Sequence, residues 1–165
     1  MPMTLQSIRT TGLGLLTTLA LSTGSLAGGA HSGGHAHTNG EKPYGKPGVA
    51  ARISRTITVD MTDSMRFTPS TIPVRKGETI RFVVKNSGKT RHELSLGTQR
   101  ELTEHAAAMK KFPNMEHDEP NMVSLAPGET GEVIWHFTQP GKVDFACLQP
   151  GHFEAGMKGS VTVTR

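Results

Sequence analysis

From residue 53 onward the chain is cut into short apolar-alternating stretches, each closed by a glycine or proline turn. Ile53, Ile57 and Val59 open the series. Ile80, Phe82 and Val84 then fall on one face of 79–85, and further short runs follow at 92–96, 123–125, 132–137, 142–147 and 160–164. Lys76-Gly77-Glu78, Asn86-Ser87-Gly88, Ala126-Pro127-Gly128-Glu129 and Pro140-Gly141 supply turns between them. A period of two gives each strand one buried face, and about seven or eight such strands with turns between them predict an all-β fold, a β-sandwich. Phe67-x-Pro69 and Ile72-Pro73-Val74 predict a short edge strand, because proline has no N–H to give a central ladder. With 35% hydrophobic and 5% aromatic residues, 19 Gly and 10 Pro, a helical bundle or coiled coil is excluded. One segment departs from this texture. Residues 101–111 combine strong helix formers with acids near the start, and Phe112-Pro113 stops them, so a short helical insertion is expected at about 100–112.

The first 50 residues do not share the strand pattern. Arg9 precedes an apolar stretch at 12–21, and Ser25-Leu26-Ala27 fits a small-x-small cleavage motif. Residues 1–27 therefore read as a signal peptide, too short and too interrupted for a comfortable membrane span. Residues 28–50, rich in Gly, His and Pro, read as a flexible tail with too little apolar surface to offset the cost of ordering. Residues 51–165 remain as the folded domain, and nothing in them reads as a membrane span. The net charge of +4 is dispersed along the chain, which argues against nucleic acid as a partner.

An exported, periplasmic location makes the cysteine count informative. There is one cysteine beside eight histidines and eight methionines. It excludes an internal disulfide and a multi-cysteine zinc site, and a lone thiol in an oxidising compartment is exposed to oxidation unless it is occupied. Cys147 stands at a strand end in Cys147-x4-His152-x4-Met157. A short loop between two strands can turn thiolate, imidazole and thioether toward one point. A His₂Cys trigonal set with a weak axial Met defines a blue-copper site. The second imidazole must come from elsewhere, and His92, a short loop after the 79–85 strand, is placed for it. Singly, a cysteine, histidine or methionine usually packs or is solvated; their joint spacing favours copper.

These residues resemble the cupredoxins, the plastocyanin/azurin group of mononuclear copper proteins. The resemblance covers about residues 53–165 and rests on Phe67-x-Pro69, Lys76-Gly77-Glu78, His92 and Cys147…His152…Met157. It implies an eight-stranded Greek-key sandwich with copper at one end, His92, Cys147 and His152 as equatorial ligands and Met157 as the axial one. Many members have Asn after the first histidine where this chain has Glu93, which bears on the colour and potential of the copper. Within the family, His92-Glu93-Leu94, the insertion at 97–122, Gln149-Pro150-Gly151-His152 and the His-rich start resemble the CopI-type periplasmic cupredoxins of bacterial copper tolerance.

Further soft donors lie outside this set. His105 and Met109 are four apart on the expected helix and share a face; Met115, His117 and Met122 follow. They form either a second, exchangeable copper site or packing and solvated residues. His31, His35 and His37 make a tract that either captures Cu(II) weakly or acts as a spacer. Met61, Met65 and His136 read as structural. Hydrolase, nucleotide-binding and metalloprotease motifs are absent. The expected function is copper binding, as Cu(I) or Cu(II), in copper tolerance, with a redox or copper-transfer protein as partner; the alternative is an electron carrier using the same site. The chain reads as a binding protein rather than an enzyme, unless a second copper position with an open coordination site supports Cu(I) oxidation.

Overall fold

In the computed structural model, residues 41–113 and 119–165 are described. The expected signal segment, His31, His35, His37, Met115 and His117 lie outside the described residues. The strands are β1 (Lys46–Pro47), β2 (Arg55–Thr62), β3 (Arg66–Thr68), β4 (Thr71–Arg75), β5 (Thr79–Asn86) and β6 (His92–Gly97), followed by helix α1 (Gln99–Lys111) and then β7 (Met122–Leu125), β8 (Thr130–His136), β9 (Gly141–Ala146) and β10 (Lys158–Thr164). They form two five-stranded sheets ordered β1-β8-β5-β2-β3 and β4-β10-β9-β6-β7. β2 runs parallel to β5 and β4 to β10; the other pairs are antiparallel. Strands remote in sequence become neighbours, as in a Greek-key sandwich.

Alternation explains the core. On β5, Ile80, Phe82 and Val84 are buried in the interior, facing Leu94 and Leu96 of β6 and Val161 and Val163 of β10 across the sandwich. Phe67 meets Phe145 edge-on at 5.0 Å, an arrangement the ring quadrupoles favour. Met61 and Met65 pack with this core, and His136 Nδ1 lies 2.9 Å from Thr79 Oγ1, consistent with structural roles.

Two expectations change. The prolines at 69 and 73 do not share one edge strand. β3 edges one sheet and β4 the other, so the chain switches sheets between them. The expected tail 28–50 also gives way at its end, because β1 pairs with β8 and Tyr44 is buried. Tyr44 stacks on Trp135, centroids 5.5 Å apart, accepts the indole N–H at its carbonyl, and donates its hydroxyl to Leu96 O. A single aromatic with two hydrogen bonds anchors a stretch whose composition reads as unstructured.

α1 starts where the sequence carries Thr98-x-x-Glu101. Thr98 Oγ1 accepts Glu101 N–H at 3.2 Å, and Glu101 Oε2 accepts Thr98 N–H at 2.8 Å. This capping box satisfies two backbone donors at once. The helix buries Leu102, Ala106 and Met109 against Ala146 and Leu148 on the outer face of the second sheet. Among the described residues no helix is long and apolar enough to cross a membrane.

Candidate metal centre

β6 and β9 are adjacent antiparallel strands, so the start of one lies beside the end of the other. His92 opens β6 and Cys147 follows β9 directly. Alternation turns Phe145 and Cys147 inward, while Ala146 and Leu148 face outward under α1. The loop after Cys147 folds back through His152 N–H to Gln149 O, Met157 N–H to His152 O and Cys147 N–H to Met157 O, all at 3.0–3.1 Å. Those bonds bring His152 and Met157 back to the strand end, where Met157 is fully buried in the cluster that holds Cys147.

Ligand atoms of His92, Cys147 and His152 lie within 4.8 Å of one another, the one such group among the described residues. Cys147 Sγ is 3.3 Å from His152 Nδ1 and 4.0 Å from His92 Nδ1. The two rings are 4.9 Å apart and tilted by 50°. Donors that hold one ion at about 2.0–2.3 Å are themselves about 4 Å apart, so the spacing fits a single metal. One thiolate, two imidazoles and a neighbouring thioether are the donor types copper takes in such sites. His92 and Cys147 are fully buried, whereas His152 is half-buried and gives the site its edge to solvent.

The supports around the donors are specific. Sγ accepts Glu93 N–H at 3.3 Å. Burial pushes the Cys147 thiol up to about 12, opposed by the Gln149 and Glu93 backbone N–H groups. A bound cation reverses that balance, since a coordinating thiol is deprotonated. Burial, then the neighbouring His92, lowers the His152 pKa. His92 Nε2 faces Asp63 Oδ1 at 3.0 Å. Asp63 also accepts Lys89 N–H at 2.7 Å and Thr90 Oγ1–H at 3.0 Å. The Lys89 bond first, then His92, holds its carboxyl down to about 2. Asn86, fully buried, donates to Thr90 O and Leu125 O and accepts Gly88 N–H, so it braces the same loop.

Asp63 and Asn86 were not singled out from sequence. Asn86 sits in a segment that reads as a plain turn, and no local pattern ties Asp63 to a histidine 29 positions away. Glu93 has a different place from the one its adjacency to His92 suggests. It is the outward residue of β6, nearly fully buried. Burial raises its carboxyl to about 7 against a hydrogen bond from the Gln149 side chain.

The described secondary donors, Met109, Met122 and His105, sit in different surroundings. Met109 lies in the apolar cluster with Leu102, Ala106, Ala146 and Leu148. Met122 is buried on β7 opposite Ser95. His105 lines a cavity of about 180 Å³ with Glu101, Glu104, Glu119 and Asn121.

Fold and site together define a copper-binding protein of the β-sandwich type, and the chain belongs to the plastocyanin/azurin family of copper binding proteins, whose family model matches residues 53–164. It is 51% identical over 147 residues to the copper-resistant cuproprotein CopI of Rubrivivax gelatinosus, covering 89% of this chain and 88% of that one. It is 35% identical to the protein of the same name from Pseudomonas aeruginosa, over 90% of this chain and 96% of that one. Among solved structures, auracyanin from Roseiflexus castenholzii matches with a TM-score of 0.59 and 22% identity, over 68% of this chain and 99% of that one. At that identity the likeness concerns the fold.

Proposed function

We propose that His92, Cys147, His152 and Met157 would hold one copper ion, and that the protein serves copper tolerance in the cell envelope. The observation that carries the ligand set is the convergence of three donors on one point, with Sγ 3.3 and 4.0 Å from the two imidazole nitrogens. Copper held there would supply a one-electron couple whose two states both accept these donors. The chain's own residues do the rest. Cys147 gives a buried thiolate steadied by backbone N–H groups. His92 is locked from both ring nitrogens. The Met157 backbone is held at both its N–H and its carbonyl, which would limit movement of this donor. The tolerance role is supported by two relatives that carry copper resistance in their names and match most of both chains. Export with removal of residues 1–27 as a signal peptide belongs to the same reading, as does action by binding rather than catalysis. A second, exchangeable copper on the insertion is supported only by His105 in its carboxylate-lined cavity.

Electron transfer through the half-buried edge of His152 is the second reading, favoured by the contrast with the fully buried His92. Loading the protein with Cu(II) should give intense thiolate-to-copper absorption that Cys147→Ser abolishes. A colourless copper complex would overturn the ligand assignment. A deletion strain should then lose growth on rising copper while keeping its respiration; the opposite pattern selects the electron carrier.

A further inference from the structure

The loop that delivers His92 is held by a carboxylate from the opposite sheet. Asp63 follows β2 in one sheet, and His92 begins β6 in the other. Four donors converge on this side chain: Lys89 N–H at 2.7 Å, Thr90 N–H at 3.4 Å, Thr90 Oγ1–H at 3.0 Å and His92 Nε2 at 3.0 Å. A carboxylate only accepts, so the ring nitrogen facing it carries the proton. The other nitrogen, Nδ1, is left with its lone pair toward Cys147 Sγ. The close approach has a backbone condition. A Cβ on Gly88 would fall 2.3 Å from Asp63 Oδ1 and 2.9 Å from His92 Nε2, so residue 88 must be small for the carboxylate to reach the ring.

We infer that Asp63 is a positioning residue which fixes His92 as an Nδ1 donor and, by its negative charge, tilts the bound copper toward Cu(II) over Cu(I). This rests on the copper reading of His92, Cys147 and His152 proposed above. The physical ground is general: a carboxylate on the remote N–H of a ligating imidazole fixes its tautomer and raises its basicity, and the extra charge stabilises the more positive ion more. Asp63 is 38% exposed, so solvent screens part of that charge.

Asp63→Asn keeps an acceptor toward His92 and removes the charge. Asp63→Ala removes both, and Gly88→Ala keeps the carboxylate while pushing it off the ring. Each copper-loaded variant would be compared with the unmodified protein by redox titration, thiolate-to-copper absorption and thermal unfolding. Asp63→Asn should keep the absorption band and lower the Cu(II)/Cu(I) affinity ratio by roughly tenfold, about 59 mV higher in potential for one electron. Gly88→Ala should shift the potential in the same direction with Asp63 still present. Asp63→Ala should also release copper to a chelator faster, because the ring is no longer held. If Asp63→Asn and Gly88→Ala unfold earlier yet keep the potential within twofold in that ratio, Asp63 is a loop brace only and the inference is overturned. Absence of the band in the unmodified protein would instead overturn the copper reading itself.

Discussion

The second sheet carries histidine and methionine on both of its sides, and the two sides treat them differently. On the inner side, at one end of the sandwich, His92, Cys147, His152 and Met157 come from two strand ends and one loop whose positions are set by both sheets. On the outer side, His105 and Met109 share one helix, and Met122 lies on β7. The helix spacing puts His105 and Met109 on one face, and the two side chains meet different surroundings there. Met109 is drawn into the apolar contact that seats α1 on Ala146 and Leu148, while His105 lines a polar cavity. Sharing a helix face is therefore not by itself a site. What makes one is separate backbone segments that have no freedom to place the donors elsewhere, and the alternation of β9 serves both sides: Cys147 turns inward to the donors, and Leu148 turns outward to the helix.

Exchanging residues across that divide gives the largest expected effect. Cys147→Ser should remove the copper retained after gel filtration, or leave it without the thiolate band. Met109→Leu, which keeps the volume and loses the sulfur, should retain copper and colour unchanged. Metal analysis beside absorption spectra checks both, and loss of copper from Met109→Leu would show that the two regions work as one.

Truncation tests the packing role directly. Met109→Ala should cost about 2–5 kcal/mol of folding stability, the usual range for emptying a filled apolar position. The copper spectrum of the protein that remains folded should be unaltered. Urea unfolding of the metal-free protein measures the first part, and a change below about 1 kcal/mol would mean that α1 rests only loosely on the sheet.

Glu93 joins the two sides, since its backbone N–H donates to Cys147 Sγ and its buried carboxyl meets the Gln149 side chain and the charge of Glu119. In the folded metal-free protein its carboxyl keeps a proton up to about pH 7, whereas the ordinary glutamate value is 4.5. Between those values this group binds more protons in the folded state than in the unfolded one, so its contribution to stability falls as pH rises, against the opposite trend from the lowered His152. The slope is about 1.4 kcal/mol per pH unit and the total at most roughly 3 kcal/mol, complete above pH 7. Glu93→Gln should flatten that slope. Unfolding midpoints measured across pH 4.5–8 decide it, and an unchanged slope would assign the pH dependence to other groups.

How much of this was legible follows from the range of each signal. Strand alternation is local, so β2, β5, β8, β9 and β10 could be read directly from the sequence. The candidate copper loop was legible because its three proposed donors lie within eleven residues. His92 needed the added inference that a loop beginning β6 would reach the same end, and the β6–β9 pairing supplies the reason. Tyr44, Asp63 and Asn86 were not legible. Each acts through partners far away in the chain: Tyr44 through Trp135, Asp63 through His92 and Asn86 through Leu125. Thr98-x-x-Glu101 was a local signal for the helix start, and the structure uses it as a cap.

The smallest expected effect concerns an ion pair that, among the described residues, ties the insertion to the loop after Cys147. Lys110 Nζ lies 2.6 Å from Glu154 Oε1, two residues beyond His152. Both side chains are about half exposed, and exposed pairs of this kind contribute about 0–1 kcal/mol. Burial rather than charge therefore holds α1 to the sheet, and Lys110→Ala should lower stability by less than about 1 kcal/mol and move the potential little. The pair should also weaken as salt rises, because its charges face solvent. Comparing Lys110→Ala with the unmodified protein at low and high salt separates the two contributions. A loss larger than that of Met109→Ala, or one that high salt does not erase, would reverse the assignment and make the ion pair, not the apolar seat, the link between the helix and the copper loop.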